Sequence, residues 1–190
     1  NVSFRAESVE ALSQDAPFDY VICHGVYSWV PPAARDAILA VCRERMRPGG
    51  VAYVSFNALP GWNALRTLRD FLLEHAPPGP ALQRVARARL ALSVLDESLR
   101  AEPSPWSAWM RDELRELAGA EDAYLFHEYL EPVNDALYLR DFVAHARAHG
   151  RAHRASIAIV TLSCFGSQVF AVQMANLRAP LSCRLPASAV

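Results

Sequence analysis

The segment Phe18–Trp62, FDYVICHGVYSWVPPAARDAILAVCRERMRPGGVAYVSFNALPGW, limits the fold more than any other part of the chain. Tyr20, Val21 and Ile22 form one short apolar run, and Val51, Tyr53, Val54 and Phe56 form another. Runs of that length, rich in β-branched and aromatic residues, suit strands buried on both faces. Between them Ile38, Val41, Cys42 and Met46 recur at helical spacing, Pro31 and Pro32 stand near the helix start, and Pro48-Gly49-Gly50 form the turn that stops it. A helix crossing between two strands makes them parallel neighbours. Ligands of open parallel sheets lie beyond the carboxyl ends of the strands, so the loops Cys23–Tyr27 and Asn57–Trp62 are where function is expected.

Composition narrows the classes. A chain of 190 residues with 52% apolar content can bury a core for one domain, or for one domain with an appendage. A net charge of -1 argues against a nucleic-acid-binding surface, and all 19 basic residues are Arg. Cys23, Cys42, Cys164 and Cys183 show no CxxC spacing, so neither a disulfide framework nor a zinc framework is expected and a reduced, cytoplasmic protein is. A secretory signal is not expected from the residues at the amino end.

The chain divides by pattern into residues 1–62 as part of a core sheet, 63–134 as a helical cap or insertion, 135–150 as a core helix, and 151–190 as a divergent tail. In the middle part Leu65, Leu68, Phe71 and Leu72 make one apolar stripe. Leu82, Val85, Ala88, Leu92, Leu95 and Leu99 make a second, and Trp106, Trp109, Met110, Leu114 and Leu117 a third. Such stripes bury for stability or for a homo-oligomeric contact more often than for ligands. The last helix is expected from about Asp135 to His149, with Tyr138, Phe142 and Ala146 on one face. Every Asp and Glu lies at or before Asp141, whereas five Arg follow it, which marks a compositional break. Three readings of the tail stay open: a membrane helix over Ala155–Leu177, diluted by Thr161, Ser163, Gln168 and Gln173; an antiparallel hairpin of Ile157–Cys164 and Val169–Met174; or a foreign continuation. The hairpin is preferred, and a membrane partner is not expected.

Four motifs carry a resemblance. FDYVICHGVYSWVPP, MRPGGVAYVSFN, the PGW of Pro60–Trp62 and YLFHEYLEPVNDALY resemble the bacterial class I S-adenosylmethionine-dependent methyltransferases that carry a methyltransferase regulatory domain, a group that includes protein-lysine methyltransferases. The likeness runs over residues 1–150. It implies an α/β fold with an incomplete, mainly parallel Rossmann-like sheet and a helical middle segment, S-adenosyl-L-methionine as cofactor and a protein as substrate. Asn1-Val2-Ser3-Phe4 resembles the beginning of that fold's third strand, and GxGxxG is found nowhere. The expectation is therefore a piece of a longer enzyme, truncated at the amino end and inactive alone.

Methyl transfer is an in-line displacement, so the enzyme mainly orients the nucleophile, and a lysine amine must also lose its proton. His24, Tyr27, His127, Glu128 and Tyr129 are the catalytic candidates for that work. By resemblance, Glu7, Ser8 and Val9 stand where related enzymes meet the adenine, and Cys23, His24 and Gly25 where the backbone approaches the cofactor. Trp29, Asn57 and Trp62 are the substrate-binding candidates, with Tyr27 and Trp29 offering aromatic faces to a cation. Each has a plainer reading beside it. His24 can be satisfied by a loop carbonyl, Gly25 can serve only a positive φ, Trp29 can be core, and His127-Glu128-Tyr129 can be a capped turn. His145, His149 and His153 recur at i, i+4 and i+8, but Gly150 interrupts the helix and imidazoles near a helix carboxyl end are favourable without a metal, so none is expected. The alternative to an enzyme is a noncatalytic regulatory or interaction module derived from the same fold.

Overall fold

A computed structural model describes residues 2–12, 17–149, 156–165 and 168–170, the last two stretches as backbone. In chain order the regular elements are β1 (Phe18–Cys23), α1 (Pro32–Glu44), β2 (Met46–Leu59), α2 (Asn63–His75), α3 (Ala81–Ala101), α4 (Pro105–Gly119), α5 (Asp122–Leu125), β3 (Leu137–Tyr138), α6 (Leu139–Ala148), β4 (Ser156–Phe165) and β5 (Gln168–Phe170). They fall into two units, one from Asn1–Trp62 with Asp135–Val190 and one from Asn63–Asn134.

The first unit is an α/β sheet in the order β1-β2-β4-β5, with β3 paired beside the end of β2. β1 and β2 run parallel from Tyr20↔Val51 to Cys23↔Val54, as a crossover helix requires. β4 is also parallel to β2, from Val51↔Ser156 to Asn57↔Leu162, and β5 turns back antiparallel on β4. Strand alternation explains the core. Ala52, Val54, Phe56 and Ala58 put one face of β2 inward, where it meets Ile38, Leu39 and Cys42 of α1 and Phe142, Val143 and Ala146 of α6. Pro32 opens α1 at a position where the missing N–H costs nothing, and the Arg45 N–H closes it on the Val41 carbonyl.

Several expectations change here. Pro48-Gly49-Gly50 is not a free turn but lies within the bounds of β2, where the register shifts between Phe18 and Tyr20. Met46 accordingly belongs to the strand, opposite Phe18, and not to the helix. Gly49 has φ 86°, and a Cβ on Gly50 would stand 3.0 Å from the carbonyl oxygens of Arg47 and Asp19. Both are backbone atoms that cannot swing aside. Gly50→Ala is expected to lower stability by about 1–3 kcal/mol through overpacking, read as a lower urea midpoint at unchanged slope.

β1 is buried on one face only. Tyr20 and Ile22 are 71% and 72% exposed, because α1 and α6 both pack on the opposite side of the sheet. Val2 and Phe4 are exposed as well, and the stretch from Val2 to Ser8 forms no strand, since no described strand pairs with it. The last helix begins at Leu139, four residues later than expected, because Leu137 and Tyr138 pair with Ala58 and Leu59 as β3 before the chain coils.

The second unit is helical. Leu68 and Leu72 of α2, Val85, Ala88, Leu92 and Leu99 of α3, and Met110, Leu114 and Leu117 of α4 share one core with Leu125, Tyr129 and Leu130. Ser104 caps α4 by accepting from the Ser107 N–H, with Pro105 at the first helical position. Leu82 and Trp106 leave the expected stripes and are exposed, each lying in the first turn of its helix. Among the described residues, no helix is long and apolar enough to cross a membrane.

Candidate functional site

The carboxyl ends of β1 and β2 are joined side by side. The N–H of Gly25 donates to Ser55 Oγ at 2.7 Å, and the N–H of Asn57 donates to Ser28 Oγ at 2.9 Å. Each serine thus satisfies a backbone donor of the neighbouring segment, and Ser55, Asn57 and Ser28 are all buried. Gly25 has φ 66°, a left-handed conformation that lets the chain leave β1 sharply towards the next turn. The glycine's plainer reading, a positive φ, is what the backbone uses.

His24 sits at the outer lip of this junction. Its Nδ1 lies 3.2 Å from Tyr53 Oη and 3.2 Å from Ser55 Oγ, so two hydroxyls hold the ring while the side chain stays exposed. Among the described residues Nε2 has no hydrogen-bond partner, which leaves that nitrogen free to meet a ligand. The tether is side chain to side chain and not the loop carbonyl of the plainer reading. Tyr53, part of an apolar strand run in the sequence, brings its hydroxyl to the candidate site. The available signal was its i, i+2 relation to Ser55, which puts both on one face of β2.

Tyr27 is corrected. It is fully buried among Phe56 and Phe142, with Phe142 edge-on at 5.1 Å, and its hydroxyl lies 2.7 Å from His145 Nδ1. Burial pushes the phenol far above its ordinary range, so it stays protonated and presents no face to a channel. Its carbonyl accepts from Nε of the buried Arg35, whose other nitrogen reaches Asp135 at 2.8 Å. Trp29 and Trp62 are half-buried, and the Trp62 N–H donates to the Ala58 carbonyl beyond the end of β2.

Cys23 is buried at the end of β1, where loss of water pushes its thiol up. Glu7 and Ser8 are exposed and engaged locally, Glu7 with Arg5 at 3.3 Å and the Ser8 hydroxyl with Glu10 at 2.8 Å. Val9 packs against the core of the first unit.

His127, Glu128 and Tyr129 lie in the second unit, in a π-helical turn Phe126–Leu130 that continues α5 and not in a loop. Turns of this kind are rare and recur at functional sites. Tyr129 is 7% exposed and belongs to that unit's core. Glu128 is half-buried. Desolvation pushes its carboxyl above the ordinary range, and the neighbouring His127 offsets part of the rise. A carboxyl that binds its proton more tightly folded than unfolded favours the fold at low pH and loses that contribution as pH rises through its folded value. Glu128→Gln should therefore raise the melting temperature at about pH 8 and leave it nearly unchanged below about pH 4, where the carboxyl is protonated in both states.

The sequence family described as "Predicted methyltransferase regulatory domain" matches residues 121–164. Uncharacterized protein RP789 of Rickettsia prowazekii is 38% identical over 164 residues, covering 85% of this chain and 30% of the relative. PKMT2 from Rickettsia typhi superimposes with a TM-score of 0.63 at 35% identity, over 75% of this chain and 27% of that one. The same protein in complex with AdoHcy matches with a TM-score of 0.63 over 76% and 28%. The chain thus spans less than a third of the length of these relatives. The mainly parallel sheet, the regulatory-domain match and the solved neighbours together make this chain a protein like the S-adenosylmethionine-dependent methyltransferases.

Proposed function

We propose that this chain is part of an enzyme that transfers a methyl group from S-adenosyl-L-methionine to a lysine side chain of a protein. The observation that carries the reading is the rim of β1 and β2, where Gly25 and His24 meet Ser55 and the Asn57 N–H meets Ser28 Oγ at the strand ends. Ligands of open parallel sheets occupy that position, and AdoHcy is present in a similar solved protein. In this reading Cys23, His24 and Gly25 line the cofactor, Asn57, Trp29 and Trp62 face the acceptor, and Glu7, Ser8 and Val9 approach the adenine. The rim supplies orientation, which is most of what an in-line displacement needs. His24 then takes the proton of the amine at Nε2, its ring held by Tyr53 and Ser55 through Nδ1.

The match to a regulatory domain favours one other reading, a noncatalytic module. Calorimetric titration of S-adenosyl-L-methionine into the whole gene product separates the two. Saturable binding is expected, and His24→Ala is expected to lower methylation turnover by roughly 100-fold or more if it accepts the proton. Absence of binding would leave the module. Full turnover in His24→Ala would remove that residue from the chemistry while keeping the enzyme.

A further inference from the structure

Asp36 on α1 and His145 and His149 at the end of α6 converge on one point. His145 Nε2 lies 2.7 Å from Asp36 Oδ1, His149 Nε2 lies 3.0 Å from the same oxygen, and the two Nε2 atoms are 3.3 Å apart. Spacing of i, i+4 puts both imidazoles on one helical face, and Asp36 faces them from the other helix. These atoms form the group among the described residues with the donor set and closeness of a metal centre.

Hydrogen bonding accounts for this arrangement poorly. If both Nε2 atoms carry protons and donate to Oδ1, two N–H groups crowd each other at 3.3 Å. If one Nε2 instead accepts from the other, its lone pair lies beside the carboxylate oxygen. A favourable helix-end dipole explains an imidazole near Asp36 but not the second nitrogen against the first. A cation at the centre resolves the conflict, because all three atoms then direct lone pairs at it. Tetrahedral zinc with ligands at roughly 2.0–2.1 Å sets ligand atoms about 3.3–3.4 Å apart, so the triangle needs only a small expansion. Asp36 is exposed and free to make it.

The surroundings match a metal-bound imidazole. Tyr27 Oη lies 2.7 Å from His145 Nδ1, the nitrogen that carries the proton once Nε2 is a ligand, and the hydroxyl can accept it. Arg43 donates to the His149 carbonyl at 2.8 Å and fixes the backbone of the second ligand. The side chains of Asp36, His145 and His149 are 53%, 34% and 25% exposed, which leaves a path for entry and a fourth position for water.

We propose that Asp36, His145 and His149 bind one divalent transition-metal ion of the zinc class, which clamps α1 to α6. The site is independent of methyl transfer, and its test reads no activity. Cobalt(II) titrated into tag-free protein should give the visible absorption of a low-coordinate ion at one equivalent per chain, displaced by zinc. Zinc at a hundredfold excess over its dissociation constant should raise the melting temperature by about 5–10 °C. Asp36→Asn and His149→Gln should each weaken binding by at least about tenfold. Circular dichroism should show both variants folded, since Asp36 is exposed and its amide disturbs little. Absence of the cobalt bands, or bands and a melting shift that persist unchanged in both variants, would overturn the proposal.

Discussion

Replacing Phe142 by alanine is expected to destabilise the first unit by about 3–5 kcal/mol, the range for truncating a large buried aromatic. Phe142 is fully buried, stacks on Phe56 at a centroid distance of 4.7 Å and meets Tyr27 edge-on. It is therefore the point where α6, β2 and the turn after β1 all touch. Neighbouring Val143 and Ala146 are too small to fill the space it leaves. Hydrogen exchange at the amides of β2 reads the loss in this unit directly. A loss of less than about 1 kcal/mol at Val54 and Phe56 would contradict the packing described.

The second large effect is expected at Arg35. This guanidinium is 7% exposed, donates from Nε to the Tyr27 carbonyl at 2.9 Å, reaches the Ser28 carbonyl at 3.4 Å and pairs with Asp135 at 2.8 Å. The Asp135 N–H in turn donates to the Ser28 carbonyl. One side chain thus fixes the turn between β1 and α1 and the entry to β3. Arg35→Ala leaves the Tyr27 carbonyl without its charged donor and opens a cavity. The cost is about 2–4 kcal/mol, toward the lower part of the range for a broken buried pair because the Asp135 side chain is 58% exposed. The loss should appear first at the rim. Amide exchange at Gly25 and Asn57 should quicken before that of Val54, since their bonds to Ser55 and Ser28 depend on the placement of the turn. Equal quickening throughout β2 would mean that Arg35 supports the unit as a whole and not this turn.

The parallel β1-α1-β2 arrangement was legible because strand and helix periodicities alternate cleanly between Tyr20 and Phe56, and because Pro32 is a strong start signal. The same reasoning puts the loops that begin at Cys23 and Asn57 at one end of the sheet, since strands of equal direction end on one side. What stayed hidden depends on contacts distant in sequence. Nothing local to Tyr27 tells that Phe142 and His145 will enclose it, and a tyrosine after a strand reads equally well as a wall or as core. The burial of Tyr129 is hidden for the same reason, since it lies in a polar-looking HEY run whose third member turns inward. Proline and two glycines after a helix suggest a stop, yet here they make an irregular start to β2, because β1 supplies a partner for Met46 before the register shifts. The histidines of α6 were visible as a spacing. Their third companion, Asp36, lies more than a hundred residues earlier and no spacing links them, while His153 is outside the described residues.

Central to the account is that the ends of β1 and β2 receive a sulfonium nucleotide. The most direct test is to irradiate the whole gene product with a photoactivatable analogue of S-adenosyl-L-methionine and map the attached peptide by mass spectrometry, with unlabelled cofactor as competitor. Competed label is expected on residues 23–30 or 55–62. Competed label confined to residues 63–134 would contradict it, as would label that excess cofactor does not displace.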